Sequence, residues 1–306
     1  MNEPREEALV AEPLPLAGAM ETPGIMSDLM MLTKARLSML VLVTTSIGFC
    51  MASSGDLDWF LLFRVLFGTA LVAGSAAVLN QFIERNVDRL MARTRQRPLP
   101  AGRMQPMTAL GLGVLLAVAG LIYLTNRVNT LAAELAAATL VVYLALYTPL
   151  KRRTSFCVTV GAVSGAIPPM IGWSAASTSL TAGAWILFGV LFFWQMPHFL
   201  AIAWMYRDEY AQAGFVMLRR RDIGGLCTAR KSLLSSVALT LVTILPFSLK
   251  MTSAIYLAGG LLLNALLLFC AAKFLLHRDR ASARRLFFAS IIYLPLILGL
   301  MVFCKK

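Results

Sequence analysis

The chain has 306 residues, of which 58% are hydrophobic, and its mean hydropathy of +0.74 is far above that of a soluble domain. A single water-soluble core could not bury so much apolar surface, so the composition indicates a membrane protein. The net charge of +13 comes from 28 Lys and Arg residues against 15 Asp and Glu residues. Because the basic residues lie between apolar segments, they indicate cytoplasmic loops and argue against nucleic-acid binding.

The N-terminal segment 1–27 is polar, acidic and contains proline. It lacks the charged-then-apolar pattern of a signal peptide and the Arg- and Ser-rich pattern of a transit peptide. We interpret 1–27 as a disordered cytoplasmic tail and 28–306 as one transmembrane domain. These features are typical of a multi-pass protein of a bacterial inner membrane.

Nine apolar segments follow the tail, and each is long enough to cross a hydrocarbon core about 30 Å thick. Backbone polar groups inside a bilayer must be satisfied within the segment, so helices are expected. The predicted spans are 35–53, 58–80, 106–125, 130–149, 156–175, 183–205, 232–249, 254–276 and 286–304. We therefore predict an all-α membrane protein with nine transmembrane helices.

Positive charge alternates between successive connections of these spans. The basic connections are 85–103, 151–153, 207–231 and 278–285, whereas the intervening connections are nearly free of Lys and Arg. Basic connections should lie in the cytoplasm. This orientation places the N-terminus in the cytoplasm and the C-terminus in the periplasm, although Lys305 and Lys306 then stand on the less basic side.

Acidic residues are scarce after the tail, and their placement is informative. Six of the 15 lie within the first 28 positions, and four of the remaining nine cluster after the second and sixth spans. Asn80, Glu84 and Asp88 are spaced by four residues, so a helix places them on one face at steps of about 6 Å. Their oxygens suit Mg²⁺, which takes one or two carboxylates and completes its coordination with water and phosphate. The alternative is a charged helix end paired with neighbouring arginines.

Asp208 and Glu209 form the second acidic cluster and are either further Mg²⁺ ligands or the solvated start of a loop. Two acidic clusters on one face, surrounded by cations, fit a diphosphate site. The acids would hold the metal, and the cations would bind phosphate oxygens directly. The candidate cations are Arg93, Arg97, Lys151 and Arg152.

His198 lies beside Pro197 in the sixth predicted span and is one of two histidines in the chain. A titratable residue within a membrane span suggests a function. An imidazole there can carry a proton or ligate haem iron. The alternative is a hydrogen-bonded packing residue.

Four stretches, in order and at matching spacing, resemble the haem-farnesylating branch of the UbiA superfamily of intramembrane prenyltransferases. They are 80–102 with its N-x-x-x-E-x-x-x-D pattern, 147–154, 165–173 and 194–214. The resemblance extends from about residue 28 to the last residue. The sequence departs from the branch at Ala35, where Pro is typical, at Cys157, where Asn is common, and at Met196, where Pro is common.

The resemblance implies a nine-helix UbiA-type bundle with its active site at the cytoplasmic face. It implies transfer of a farnesyl group from farnesyl diphosphate to the 2-vinyl group of haem B, giving haem O, with Mg²⁺ as cofactor. The expected partners are the two substrates and the lipid bilayer, with a haem A synthase or a terminal oxidase as a candidate protein partner.

The resemblance also assigns roles to individual residues. Asn80, Glu84, Asp88 and His198 are the expected catalytic residues, and Asp208 and Glu209 are expected to join the first three at the metal. Lys34 and Arg36 are added to the four candidate cations for diphosphate. His198, Trp194 and Tyr147 are the expected haem contacts.

Two alternatives stay open from the sequence. One is a UbiA-type prenyltransferase that acts on an aromatic acid or quinone precursor; the Pro197-His198-Phe199 stretch and the absence of a second D-x-x-x-D motif argue against it. The other is a non-catalytic haem-binding protein or a transporter. Transporters usually contain internal repeats and charges near the bilayer midplane, whereas here the charges gather at one face.

Overall fold

The computed structural model describes residues 24–219 and 221–306 of the chain. The predicted tail 1–27 therefore lies mostly outside the described residues. Its last residues are not part of a tail, because helix α1 begins at Ile25.

The described residues form helices in almost every segment. They are α1 (Ile25–Leu32), α2 (Ala35–Ala52), α3 (Trp59–Asp88), α4 (Pro106–Arg127), α5 (Thr130–Leu140), α6 (Thr148–Leu150), α7 (Cys157–Ala166), α8 (Pro168–Ser177), α9 (Ala182–Met205), α10 (Arg207–Gln212), α11 (Leu226–Ser248), α12 (Ala254–His277) and α13 (Arg280–Phe303). A π-helix, Val141–Tyr147, joins α5 to α6. Within 24–219 and 221–306, nine helical segments are long and apolar enough to cross a membrane, which confirms the nine predicted spans.

Helices α3 and α11 are longer than their apolar sequence, because polar turns continue each helix. Helix α3 runs past the predicted end at 80 to Asp88. Helix α11 begins at Leu226 rather than at the predicted residue 232. In its first turn, the Asp222 carboxylate accepts hydrogen bonds from the backbone nitrogens of Cys227 at 2.9 Å and Thr228 at 2.7 Å. These bonds satisfy the free N–H groups of the first turn. A hydropathy pattern does not predict polar turns that extend a helix, so it placed these helix ends inside the true helices.

Helices α2 and α8 cross with their backbones in contact at two glycines. A Cβ added to Gly48 would lie 1.9 Å from the carbonyl oxygen of Pro169, and one added to Gly172 would lie 1.8 Å from that of Thr45. Helix α8 begins at Pro168, where the missing N–H breaks the fifth span into α7 and α8. The fifth and sixth spans form the interior of the bundle, because 72% and 61% of an 18-residue apolar stretch of each are buried.

The far end of α2 is fastened to the last described residues. The Lys305 ammonium donates to the carbonyl oxygen of Cys50 at 2.6 Å and also to that of Ser53. Lys305 pairs with Thr252 in an isolated antiparallel bridge, and the Lys306 nitrogen donates to Met251 O at 3.0 Å. This contact, which we name the terminal clasp, gives Lys305 a structural role that its sequence position did not suggest.

Candidate active site

The predicted ladder of Asn80, Glu84 and Asp88 lies on one face of α3 and is buried, with 0%, 7% and 3% of each residue exposed. The Asn80 amide nitrogen donates to Glu84 Oε2 at 3.0 Å. Buried carboxylates require partners, because an unpaired charge away from water is costly. The surrounding cations provide them.

Each rung of the ladder contacts one predicted cation. Lys151 Nζ lies 2.9 and 3.0 Å from the two Glu84 oxygens, and Arg97 Nη1 lies 2.7 Å from Asp88 Oδ2. Lys34 Nζ donates to Asn80 Oδ1 at 2.9 Å. Burial lowers the pKa of the Lys151 ammonium, but the neighbouring Tyr147 phenol and the Glu84 carboxylate, which also accepts its hydrogen bond, raise it by more. Its pKa therefore lies above the ordinary value, and the ammonium stays protonated.

A polar cavity of about 110 Å³ opens beside this ladder. Its charged lining consists of two carboxylates, Glu84 and Asp88, and four cations, Lys34, Arg93, Arg97 and Lys151. The formal net charge of the cavity lining is therefore +2. A cavity with excess positive charge and two carboxylates can hold an anion together with a divalent cation.

A second, apolar cavity of about 440 Å³ adjoins the first and extends among α2, α3, α5, α7, α8 and α9. The two cavities share the wall residues Lys34, Tyr147, Lys151 and Met217. The larger volume is in the range of ligand-binding pockets, which are mostly apolar with a few polar groups. An elongated apolar molecule with an anionic head group fits this pair of cavities.

His198 and Trp194 form one wall of the apolar cavity, and Tyr147 forms part of another. The rings of Trp194 and His198 stack with centroids 5.2 Å apart. His198 Nδ1 lies 2.8 Å from the Ser290 hydroxyl, and the Trp194 indole nitrogen donates to Ser290 O at 2.7 Å. The three predicted haem contacts thus line one cavity.

Four predicted site residues do not line either cavity. Arg36 and Arg152 are exposed, as are Asp208 and Glu209 on α10. The Asp208 side chain is 87% exposed and lies 3.7 Å from Arg207. In this structure the second acidic cluster therefore does not join the ladder, because α10 turns Tyr210 inward instead.

Tyr210, which lines the polar cavity, and Thr148, which contacts Asn80 from outside it, hydrogen-bond predicted site residues but were not themselves predicted. Tyr210 accepts a hydrogen bond from Arg93 Nη2 at 2.9 Å, and its ring lies 4.8 Å from the guanidinium. Thr148 accepts from the Asn80 amide nitrogen at 3.2 Å while its hydroxyl donates to Tyr143 O at 2.8 Å. Thr148 thus orients the Asn80 side chain so that Asn80 Oδ1 faces Lys34. The only sequence feature that could have indicated Tyr210 is its position directly after the acidic pair Asp208-Glu209.

The residues of the polar cavity fit Mg²⁺ bound together with a diphosphate. Among residues 24–219 and 221–306, no group of three or more His, Cys, Asp or Glu side chains could hold a metal ion by itself. Glu84 and Asp88 supply two carboxylates, with the Asn80 amide beside them. Mg²⁺ usually takes one or two protein carboxylates and the rest of its oxygens from water and phosphate.

Comparisons with known proteins agree with this geometry. A sequence profile of the UbiA prenyltransferase family matches residues 41–292. The chain is 44% identical to protoheme IX farnesyltransferase of Solibacter usitatus, over 90% of this chain and 98% of that protein. It is also 44% identical to the protoheme IX farnesyltransferase of Opitutus terrae, over 90% of this chain and 94% of that protein.

Solved structures share the fold. One described as digeranylgeranylglyceryl phosphate synthase in membranes has a TM-score of 0.79 and 17% identity, covering 91% of this chain and 98% of that one. A UbiA homologue from Archaeoglobus fulgidus bound to DMAPP and Mg²⁺ has a TM-score of 0.64 and 12% identity, covering 90% and 99%. From its sequence, its nine-span bundle and its paired cavities, the chain belongs to the UbiA prenyltransferase family.

Proposed function

We propose that this chain transfers a farnesyl group from farnesyl diphosphate to the 2-vinyl group of haem B, giving haem O. The observation that carries the proposal is the pair of adjoining cavities, one charged and one apolar, with a histidine in the apolar wall. The close relatives named for this reaction support the choice of substrates. The bound DMAPP and Mg²⁺ of the archaeal homologue support a prenyl diphosphate and a metal.

The charged cavity would bind the diphosphate head. Glu84 and Asp88, with Asn80, would hold Mg²⁺, which when bound supplies Lewis-acid neutralisation of the leaving group. Lys34, Arg93, Arg97 and Lys151 would bind phosphate oxygens and stabilise their charge as the C–O bond breaks. The pairs Lys151–Glu84 and Arg97–Asp88 keep the carboxylates compensated before substrate arrives.

The apolar cavity would hold the farnesyl chain and the vinyl-bearing edge of the haem. Its walls exclude water from the allylic cation. The terminal vinyl carbon of haem B attacks that cation and forms the new C–C bond. Water then adds to the carbon next to the porphyrin ring and releases a proton, which leaves the hydroxyethylfarnesyl side chain.

In the cell we place the charged cavity at the cytoplasmic face of a bacterial inner membrane. The basic connections support this orientation. Haem O would then pass to a haem A synthase or a terminal oxidase.

The decisive measurement is pigment analysis of the purified protein in lipid with haem B, farnesyl diphosphate and Mg²⁺. We expect a new pigment with the mass of haem O. Glu84→Gln should lower its yield at least about 100-fold, in line with the loss of a charged group at the reacting centre. Glu134→Gln is the matched control, because Glu134 is exposed and lines neither cavity.

Two results would contradict the proposal. Prenylation of 4-hydroxybenzoate with haem B left unchanged would favour an aromatic-acid prenyltransferase. Tight binding of haem B without any prenylated product would favour a non-catalytic haem-binding protein.

A further inference from the structure

Ser290 on α13 contacts both aromatic residues at the haem end of the apolar cavity. It is fully buried. Its hydroxyl lies 2.8 Å from His198 Nδ1, and its carbonyl oxygen accepts from the Trp194 indole at 2.7 Å. One residue of the ninth span therefore positions two residues of the sixth.

The hydrogen bonds of Ser290 determine which nitrogen of His198 carries the proton. The Ser290 hydroxyl lies 2.6 Å from the carbonyl oxygen of Phe287. A carbonyl oxygen can only accept, so at this distance the single hydroxyl proton lies between the two oxygens. The Ser290 oxygen must then accept from His198, and Nδ1 must be the protonated nitrogen.

The other nitrogen of His198 stays available to a ligand. Nε2 makes no hydrogen bond within the described part of the chain, and His198 lines the apolar cavity. The rings of Trp194 and Phe287 pack close to the imidazole, with centroids at 5.2 and 5.0 Å and interplanar angles of 24° and 30°. These contacts restrict rotation of the imidazole about its side-chain bonds.

We propose that Ser290 is a positioning residue that holds His198 as the Nδ1–H tautomer and presents the Nε2 lone pair to the acceptor substrate. The inference rests on the proposed function for the identity of that substrate. The lone pair can coordinate haem iron or take the proton that water releases as it adds to the vinyl-derived cation. Both are chemistry of an electron-pair donor, whereas the opposite tautomer would donate a proton from Nε2.

The tautomer can be measured directly by ¹⁵N NMR of ring-labelled histidine in the lipid-reconstituted full chain. The chain has two histidines, so a His277→Gln background leaves only the His198 signals. We expect Nδ1 protonated and Nε2 unprotonated. In Ser290→Ala the Nε2–H tautomer should become populated, and Ser290→Thr should restore the original signals. Ser236→Ala is the matched control, since the buried Ser236 hydroxyl bonds only Ser232 O among residues 24–219 and 221–306.

An Nε2–H signal in the parent protein, or an unchanged spectrum in Ser290→Ala, would overturn the inference. A correct tautomer in a protein that forms no haem O would instead contradict the proposed function alone. Haem B titration separates the two roles of the lone pair. A Soret shift that disappears in His198→Ala identifies iron coordination, and an unshifted band with reduced haem O yield identifies proton transfer.

The Ser290→Ala variant should also bind haem B less tightly than the parent protein if the Nε2 lone pair coordinates iron. Loss of one neutral hydrogen bond should raise the dissociation constant for haem B roughly 2- to 10-fold in Ser290→Ala. Haem affinity and haem O yield that are both unchanged in His198→Ala would contradict any role for Nε2.

Discussion

At the scale of single residues, the candidate site contains charges that compensate one another before any substrate binds. Glu84 is buried against Lys151, and Asp88 against Arg97. A metal ion that takes the carboxylates would release the two cations for phosphate oxygens. The same side chains can therefore stabilise the empty bundle and, after exchange of partners, bind the substrate.

Lys151→Met separates these two roles. It leaves Glu84 buried without its counter-charge, and breaking such a pair costs up to about 3–5 kcal/mol. We expect a lower unfolding midpoint in detergent and a roughly 100- to 1000-fold loss of haem O formation. The double variant Glu84→Gln with Lys151→Met should regain most of the stability but none of the activity.

Arg153→Met serves as the control, because Arg153 is an exposed cation two positions away. It should leave both unfolding and activity near the parent values. A double variant no more stable than Lys151→Met would show that the ion pair is not what stabilises this region.

Residue spacing predicted part of this site and missed the rest for physical reasons. Scarce acids at intervals of four residues identified Asn80, Glu84 and Asp88, because α3 continues as a helix to Asp88. Spacing did not show which side of the short helix α10 is covered, so Asp208 and Glu209 were placed at the metal although they are exposed. Thr148 was missed because its contact with Asn80 depends on a distant segment of the chain.

At the scale of helices, the fourth span changes its winding where it reaches the site. The π-helix Val141–Tyr147 places Tyr143 and Tyr147 in a stack 5.4 Å apart, and Thr148 bonds back to Tyr143 O. π-Helical turns often occur at functional sites. Hydropathy predicted the span but not this winding, because both helix types present the same apolar residues to the bilayer.

Contact between α2 and α8 depends on glycine at positions 48 and 172. Gly48→Ala or Gly172→Ala would place a methyl group against backbone, so relaxation requires the helices to separate. Overpacking of this kind typically costs about 1–3 kcal/mol, and often more where backbone is the obstacle. We expect a clearly lower unfolding midpoint in detergent for either variant.

Gly111→Ala is the matched control, since no described atom outside its own stretch of helix lies within 4 Å of the added Cβ. Alanine also favours a helix over glycine by about 1 kcal/mol, so this variant should unfold at the same or a slightly higher temperature. Equal behaviour of all three variants would contradict the close approach of α2 and α8.

At the scale of the whole molecule, the nine spans of residues 24–219 and 221–306 lead us to predict that the start of α2 and the end of α13 lie on opposite sides of the membrane. In a cysteine-free background, Arg153→Cys and Ser179→Cys place single thiols at opposite ends of the fifth span. We expect an impermeant thiol reagent to label the first only from the cytoplasmic side and the second only from the periplasmic side. Labelling of both from one side would contradict the predicted orientation.

The terminal clasp should contribute to the stability of the complete bundle. Lys305→Met removes the bonds from a charged group to two carbonyl oxygens at the end of α2. Such bonds contribute about 1–2 kcal/mol at a partly exposed site. The unfolding midpoint should fall by a few degrees, whereas Lys306→Met, whose side chain makes no bond among the described residues, should have no effect.

The terminal clasp also bears on the order in which the protein is assembled during synthesis. Lys305 and its acceptor at Cys50 are separated by 255 positions, so the ribosome has made every span before this contact can form. Closing so long a loop is entropically costly and comes late. The far end of α2, the first of the described spans, is thus among the last parts of the bundle to be secured. Because Lys34 lies at the other end of that helix, we expect a nascent chain to gain its substrate-binding capacity only after its last helix has been inserted.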